Sequence, residues 1–393
     1  MTPTITWARA GARRAARQFL RIRATEDTTV AEVAGAMLGV HAQVMSAAEI
    51  SLGVRMDGVT RQNVRDALWT DGTLVKTFGP RGTLHLLPAA ELPFWSAALP
   101  AIPPKGSFAS GVRMSPEQSE QVVAAIGDAL DGARLTADEL GDEVVARTGA
   151  WAGDLVMPAF QGMWPRWRQV MHLAGQRGAL CFAPDRGRKA TYTRPPHHDP
   201  LPRDEAVAAY VRRYLYAYGP ATAHDFARWA AAPQGWTGKL FASLAVAGAI
   251  EPVPFEPVPG GGTAWVAAGD TDFPEEEAAG AVGGVPGVRL LPYFDAYGIA
   301  CHPRARLFPG RASVRALAGG QAGNFPLLLV DGEVAGVWHQ RRRGRRATVT
   351  VEPLDRLTAA QERELAAEVA RVGEVMEAVP ELVVGEVTVG AHA

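Results

Sequence analysis

The chain has 393 residues, of which 47% are apolar and 21% charged, and its formal net charge is −1. This length exceeds one ordinary hydrophobic core and predicts roughly two to four domains, while the composition excludes a disordered chain. No apolar run reaches the roughly 18 to 20 residues of a membrane span, and no signal-peptide pattern is present, so we expect a cytoplasmic protein.

Near the N-terminus, two predicted helices flank a short connector. The segment Thr29–Glu32 has a capping-box pattern, and Gly39 is a usual helix stop. Ser46–Glu49 repeats the capping-box pattern, so a second helix is predicted to begin there. The connector contains His41 and Gln43, which point the same way if the chain is extended and so can address one site. The alternative is that both only satisfy local backbone groups.

Short helices followed by a β-hairpin recur three times along the chain, at the level of pattern rather than of identity. The hairpins are predicted at residues 73–88, 179–194 and 250–267, and helices followed by a hairpin are the parts of a winged helix-turn-helix unit. We therefore predict an α+β protein with three tandem winged helix-turn-helix units, at residues 1–105, 106–200 and 201–270. A C-terminal α/β region, strand-rich with one long helix, is predicted at 271–393.

The C-terminal region begins with an apolar strand that ends at Asp295. A carboxylate at a strand end is a possible secondary functional site, but a helix cap or a salt bridge is the alternative. Asp331-Gly332 between two β-rich runs predicts a hairpin with a type I′ turn. A capping box at Thr358–Gln361 predicts a helix that reaches about residue 378, and we expect a last short strand at Leu382–Val389.

Basic residues are segregated along a chain that is almost neutral overall. Such segregation can create a basic face suited to a phosphate backbone, although a solvated surface is the alternative for any single cluster. The segregation of basic residues, together with the predicted winged helices, predicts binding to double-stranded DNA. The residues expected to contact phosphates are Arg81, Arg186, Arg188, Lys189, Arg341, Arg342 and Arg343.

No metal or cofactor is expected from the sequence. Cys181 and Cys301 are far apart and have no CxxC companion, which argues against a disulfide framework or a zinc site. His197, His198 and Asp199 lie between prolines that favour an extended chain without helix-spaced ligands. A metal-dependent nuclease at these three residues is a minor alternative.

Four stretches, in order and spacing, resemble the AlkZ/YcaQ-type alkylpurine DNA glycosylases, a family with three tandem winged-helix units. They are Gly39–Gln43, Arg81–His85, Gly178–Phe182 and Leu290–Asp295, and the resemblance covers nearly the whole chain. The catalytic motif of that family is commonly Gln-x-Gln, with His-x-Gln among its variants. The resemblance implies that the catalytic residues are His41 and Gln43, and that N7-alkylated purines are excised from DNA, including bulky guanine adducts of genotoxic natural products.

The expected chemistry suits such a sparse site. Alkylation at N7 makes the purine cationic, so the base departs neutral and needs little or no general acid. Gln43 is expected to orient a water molecule, and His41, with an unperturbed pKa near ~6.5, to accept its proton. Because no lysine lies beside them in the sequence to form a Schiff base, we expect a monofunctional hydrolase that leaves an abasic site.

The alternative function is a noncatalytic winged-helix transcriptional regulator. Regulators usually place two copies on a palindrome, whereas three units in one chain favour a monomer on asymmetric DNA. We therefore expect a monomeric repair enzyme that is associated with the nucleoid.

Overall fold

The computed structural model describes residues 4–104, 106, 108–159, 162–258, 263–275, 281 and 283–389. The chain forms two compact units. Unit 1 consists of Met1–Asp66, Ala208–Trp229 and Gln234–Ala393, and unit 2 of Ala67–Val207 and Ala230–Pro233. These units do not coincide with the four predicted segments, whose boundaries remain a prediction. No helix in the described part of the chain is long and apolar enough to cross a membrane.

Helices α4 (Arg61–Trp69) and α9 (Arg203–Tyr218) each include residues of both units, and the short segment Ala230–Pro233 also belongs to unit 2. The other helices of unit 2 are α5 (Leu92–Ala98), α6 (Pro116–Ala129), α7 (Ala137–Thr148) and α8 (Met171–Gln176). Its strands are β2 (Leu74–Phe78), β3 (Leu84–Pro88), β4 (Leu135–Thr136), β5 (Leu155–Ala159), β6 (Gly162–Pro165), β7 (Cys181–Arg186) and β8 (Lys189–Thr193).

Unit 2 contains the first two predicted hairpins, β2–β3 and β7–β8, both antiparallel. They pack together: the Phe78 and Phe182 ring centroids are 6.2 Å apart, and the Thr77 hydroxyl donates to the Leu180 carbonyl at 3.0 Å. A further hairpin, β5–β6, was not expected from the sequence. The core of this unit lies between α6, α7 and the segment around Trp167.

Unit 1 contains most of the remaining elements. Its N-terminal elements are α1 (Trp7–Arg17), α2 (Val30–Ala36), β1 (Val40–His41) and α3 (Met45–Gly53). The middle elements are α10 (Ala223–Trp229), α11 (Gln234–Val246), β9 (Ile250–Val253) and β10 (Ala264–Ala267). The C-terminal elements are β11 (Val288–Leu291), α12 (Ala296–Ala300), α13 (Arg304–Leu307), α14 (Ala312–Arg315), β12 (Leu327–Val330), β13 (Glu333–Arg343), β14 (Arg346–Pro353), α15 (Ala359–Val375) and β15 (Val379–Val384).

The two predicted capping boxes near the N-terminus have different outcomes. At α2 the box is present, because Thr29 and Glu32 each bond the other's backbone. At α3 the prediction is wrong: the helix begins at Met45 after Val44, without a side-chain cap. Its Glu49 is fully buried and pairs instead with Arg65 at 2.7 Å. A carboxylate that is buried without a charged partner costs more free energy than a helix end without a side-chain cap. A local sequence pattern does not show which carboxylate becomes buried.

The third predicted hairpin and the C-terminal hairpin are both present. Strands β9 and β10 pair antiparallel, and residues 259–262 of their connection lie outside the described part of the chain. At the turn between β12 and β13, Asp331 and Gly332 have φ values of 51° and 85°, as a type I′ turn requires.

The C-terminal sheet has the strand order β11-β12-β13-β14-β15. Its first four strands are antiparallel neighbours, and β15 pairs in parallel with β14. The last strand was predicted at Leu382–Val389 but is Val379–Val384, directly after α15, because the helix returns the chain to the sheet earlier than the composition suggested. Strand β13 includes the three arginines Arg341, Arg342 and Arg343 at its end.

Helix α3, which follows the connector, is packed into the C-terminal core of unit 1. Ile50 and Val54 are buried with strand residues of β11–β14 and with the apolar face of α15. The side chain of Arg371 in α15 donates to the carbonyl oxygens of Gly53, Met56 and Val59 at 2.6 to 3.1 Å. Gly53 is the last residue of α3, and Met56 and Val59 lie in the segment that follows it, so Arg371 fixes the end of α3 together with the chain that leaves it.

We expect Arg371→Met to lower the free energy of unfolding by about 2 to 4 kcal/mol, because it leaves buried carbonyl oxygens without donors. Urea denaturation measures this change. Arg363→Met is the matched control, since Arg363 is exposed on the same helix. Equal stability of the two variants would show that Arg371 does not hold α3.

Candidate functional site

The connector that carries His41 and Gln43 changes from extended chain to a bend within four residues. Val40 and His41 form β1, and the chain bends at Gln43 and Val44 before α3 begins. His41 is 8% exposed, whereas Gln43 is an exposed residue. The two side chains therefore differ in their access to solvent, and the expectation that both address one site remains a prediction.

An aromatic side chain from the loop between β11 and α12 lies beside His41. The ring centroids of His41 and Phe294 are 6.1 Å apart, with 32° between the ring planes. Phe294 has a φ of 56°, a left-handed conformation that costs a residue with a side chain about 1 to 2 kcal/mol. Tertiary contacts must therefore hold this loop in place.

The contacts that hold the loop converge on Asp295. Its carboxylate pairs with both terminal nitrogens of Arg55 at 2.8 Å, and neither side chain is exposed. It also accepts hydrogen bonds from the Ser51 hydroxyl at 2.7 Å and from the Tyr297 backbone N–H at 3.0 Å. Asp295 is thus a helix cap and a buried ion pair, the alternative considered from sequence. Three of its four bonds, from Ser51 in α3 and from Arg55 just after α3, connect this segment with the loop beside His41.

Tyr293 continues the aromatic row from Phe294 to β13. The Tyr293 and Phe294 ring centroids are 6.3 Å apart, and the Tyr293 hydroxyl lies 3.5 Å from Nδ1 of His339. All three side chains are partly exposed. Burial, with a smaller contribution from the charge of Arg341, lowers the pKa of His339, so this imidazole is neutral near pH 7.

The β13–β14 hairpin presents two different faces. Trp338 and its cross-strand neighbour Val351 face the core under α15. Side chains alternate along a strand, so from His339 onwards the odd-numbered residues of β13 and their even-numbered partners in β14 fall on the other face. That face is polar and basic, with His339 opposite Thr350, Arg341 opposite Thr348, and Arg343 opposite Arg346.

The three candidate arginines of this hairpin are all exposed, but they do not share a face. Arg341 and Arg343 continue the face that carries His339, whereas Arg342 continues the face of Trp338. Burial lowers the pKa of Arg61, and the charge of Arg342 adds to that shift.

The remaining basic candidates belong to unit 2. Arg81 is partly exposed in a turn with a φ of 61°. Arg186 and Lys189 are exposed at the end of the β7–β8 hairpin, where they pair with Glu139 and Asp138 at 2.8 and 2.9 Å. Arg188 is exposed in the turn itself. Exposed pairs of this kind contribute at most about 1 kcal/mol, so a phosphate can replace the carboxylate.

His85, which belongs to the same sequence stretch as Arg81, is buried in unit 2. Burial, followed by the charge of Arg81, lowers the pKa of His85 to about 3. Its Nδ1 lies 2.8 Å from the Thr83 carbonyl oxygen and must carry a proton to donate there. His85 is therefore a neutral residue that fixes the turn bearing Arg81.

Sequence reasoning missed four residues of this site, namely Ser51, Arg55, Tyr293 and His339. Tyr293 lies within the stretch Leu290–Asp295 and was available from that motif. No local pattern marked Arg55 or His339, because their importance arises only when distant segments meet. Among the described residues, no group of three or more His, Cys, Asp or Glu is placed to hold a metal ion.

Comparison with known proteins identifies the family. A model of the AlkZ-like DNA glycosylases, described as "DNA glycosylase AlkZ-like", matches residues 34–375. The chain belongs to the AlkZ-like DNA glycosylase family. It is 33% identical over 350 residues to an interstrand DNA cross-link repair glycosylase of Streptomyces sahachiroi, covering 85% of this chain and 87% of that protein. The solved structure of Streptomyces sahachiroi DNA glycosylase AlkZ matches with a TM-score of 0.75 and 28% identity, covering 98% and 100% of the two chains.

These matches confirm the resemblance seen in the sequence. As an AlkZ-like protein, the chain is a DNA glycosylase, an enzyme of DNA repair that binds DNA. Its mixed α/β fold is that of the solved AlkZ structure. The matched region includes His41, Gln43, Asp295 and the arginine hairpin, so the AlkZ-like family covers the whole candidate site in unit 1.

We expect Asp295→Asn to lower the free energy of unfolding by about 3 to 5 kcal/mol, because it leaves the Arg55 guanidinium buried without a counter-charge. Urea denaturation again measures the change. Asp355→Asn is the control: Asp355 pairs with Arg311 at the surface, where its side chain is 88% exposed, and its loss should cost less than about 1 kcal/mol. Similar losses in both variants would contradict the role given to the buried pair.

Proposed function

We propose that this glycosylase hydrolyses the N-glycosidic bond of N7-alkylated purines in double-stranded DNA and leaves an abasic site. The observation that supports the proposal is that a buried histidine, His41, and an exposed amide, Gln43, lie two residues apart in one short connector within the region matched by the family. Such a pair combines a proton acceptor in a restricted environment with a hydrogen-bonding group that reaches the substrate.

The reaction divides between the two side chains. As the bond between C1′ and N9 breaks, its electron pair neutralises the cationic purine, and positive charge develops on the deoxyribose. Gln43 orients a water molecule towards C1′ through its amide. His41 accepts a proton from this water as the new C–O bond forms, so that the sugar gains a hydroxyl group and the base leaves neutral.

The DNA is proposed to lie on basic residues of both units. Arg81, Arg186, Arg188 and Lys189 are the phosphate contacts of unit 2, and Arg341, Arg342 and Arg343 those of unit 1. Exposure of these side chains supports the proposal, since each except the partly exposed Arg81 is an exposed residue. Of the three hairpin arginines, Arg341 and Arg343 are expected to contribute most because they continue the face with His339.

We also propose the arrangement of the winged-helix units, the number of copies that act together and the substrates to test first. Three tandem winged-helix units are supported by the β2–β3, β7–β8 and β9–β10 hairpins, each preceded along the chain by helices. We infer that one copy of the chain acts alone, in the cytoplasm at the nucleoid. Because the similar Streptomyces sahachiroi protein is named for interstrand cross-link repair, bulky guanine adducts and cross-linked guanines are the substrates to test first.

His41→Ala and Gln43→Ala are each expected to abolish release of N7-methylguanine from duplex DNA, since each removes one half of the water-activating pair. DNA affinity should stay within a few-fold of wild type. Release is followed by separating the free base, and the abasic product by heat-labile strand cleavage.

His197→Ala is the control, because His197 is 88% exposed in the linker. It should release base at the wild-type rate, and EDTA should not change that rate. Full activity of both the His41 and Gln43 variants would refute the assignment, whereas inhibition by EDTA would favour a metal-dependent reaction.

Arg341→Ala and Arg343→Ala are expected to weaken DNA binding independently of sequence. Each should reduce the slope of log affinity against log salt by about 1, the value for one lost phosphate contact. Fluorescence anisotropy across a salt series measures the slope. Arg311→Ala is the control, an exposed arginine paired with Asp355; a slope loss equal to that of Arg341→Ala would show that the hairpin face has no special role.

A further inference from the structure

Three flat side chains of unit 1 lead away from His41 in one row. Phe294 lies 6.1 Å from His41, and Tyr293 lies 6.3 Å from Phe294, both measured between ring centroids. The hydroxyl of Tyr293 is 3.5 Å from His339, beyond which Arg341 continues the same face of β13. The row thus connects the proposed catalytic histidine with the proposed phosphate contacts.

The exposure of these rings distinguishes them from the structural aromatic residues of the same unit. Trp338 and Tyr297 are each 1% exposed, and the Trp338 indole donates to the Leu291 carbonyl at 2.9 Å. Phe294 and Tyr293 remain partly exposed. Phe294 in addition occupies a left-handed conformation, which the buried Asp295–Arg55 pair holds in place. A constrained backbone that keeps a ring in partial contact with solvent is typical of a binding position.

The electrostatics of the row suit a flat cation. The faces of aromatic rings carry partial negative charge and attract cations placed over them. His339 does not oppose this attraction, because burial lowers its pKa and the imidazole stays neutral near pH 7. Arg341 adds a positive charge at the outer end of the row, and the charges of the Asp295–Arg55 pair beside Phe294 balance each other.

We propose that Tyr293 and Phe294 form a stacking wall for the cationic N7-alkylated purine, so that the site selects the positive charge of the base before any bond breaks. This inference rests on the proposed function and deepens it. His339 is a positioning residue, which orients the Tyr293 ring through the hydroxyl contact. The wall also explains how an enzyme without a strong general acid discriminates: a normal purine at the same place is neutral and gains no cation–π attraction.

The test compares binding of two duplexes that differ only in charge. One contains 2′-fluoro-N7-methyldeoxyguanosine, which is cationic and resists hydrolysis because fluorine disfavours the developing sugar cation. The other contains 2′-fluoro-7-methyl-7-deazadeoxyguanosine, a neutral base of the same shape on the same fluorinated sugar. Wild-type protein is expected to bind the cationic duplex roughly three- to thirtyfold more tightly, the range that a cation–π contact provides.

Tyr293→Ala should reduce this preference to less than twofold, whereas Tyr293→Phe, which keeps the ring but loses the hydroxyl contact with His339, should lower it only in part, as His339→Ala does. If Tyr293→Ala fails to fold, Tyr293→Leu replaces it, because leucine keeps the bulk without the aromatic face. His339→Ala should lower the preference in part, and His339→Gln, which can still bond the hydroxyl, should restore it. Tyr216→Ala is the matched control, since Tyr216 is 51% exposed in unit 1 and stacks on Arg17.

Equal binding of the two duplexes by wild-type protein would refute the proposal that Tyr293 and Phe294 stack on the cationic base. An unchanged preference in both Tyr293→Ala and Tyr293→Leu would refute it as well. The proposed function is judged separately, by whether wild-type protein releases N7-methylguanine from the unfluorinated duplex. Release without any charge preference would leave the glycosylase reaction standing and refute only the wall.

Discussion

The buried ion pair between Asp295 and Arg55 is the constraint on which the site depends. Both side chains are completely removed from solvent, so each would carry a large desolvation penalty without the other. Each oxygen of the carboxylate accepts two hydrogen bonds, from Arg55 together with either Ser51 or Tyr297. Such a saturated group tolerates little displacement, and it therefore fixes α3 against the loop that carries Phe294.

This ion pair explains how a site with few polar groups keeps its side chains in fixed relative positions. His41 precedes α3, and Phe294 precedes Asp295, so the bonds to Asp295 from Ser51 in α3 and from Arg55 just after it fix the two segments relative to each other. Arg371 binds the Gly53 carbonyl at the same, C-terminal end of α3, where Ile50 and Val54 are also buried in the core. The helix after the connector is thus anchored at its C-terminal end, while Gln43 stays exposed before its first turn.

Buried and exposed charges have different roles in unit 1. Inside unit 1, charges such as Asp295 and Glu49 are buried with arginine partners and serve the fold. At the surface, Arg341 and Arg343 extend one face of a hairpin, where competition with water leaves them available to phosphates. A chain with almost no net charge can therefore still carry exposed basic faces, because acids such as Asp295 and Glu49 are paired in the interior.

The sequence by itself determined the features that depend on local chemistry. The Thr29 capping box, the type I′ turn at Asp331-Gly332 and the three hairpins follow from residue types at fixed spacing, and the order of four short motifs indicated the family. Only the tertiary structure decided which charges meet. Glu49 looked like a cap but is a buried ion-pair partner, and neither Arg55 nor His339 was marked by any pattern. The energy of a buried charge or of a packed ring depends on partners that lie beyond the local pattern, 16 residues away for Glu49 and Arg65 and 240 for Arg55 and Asp295, and no local spacing encodes them.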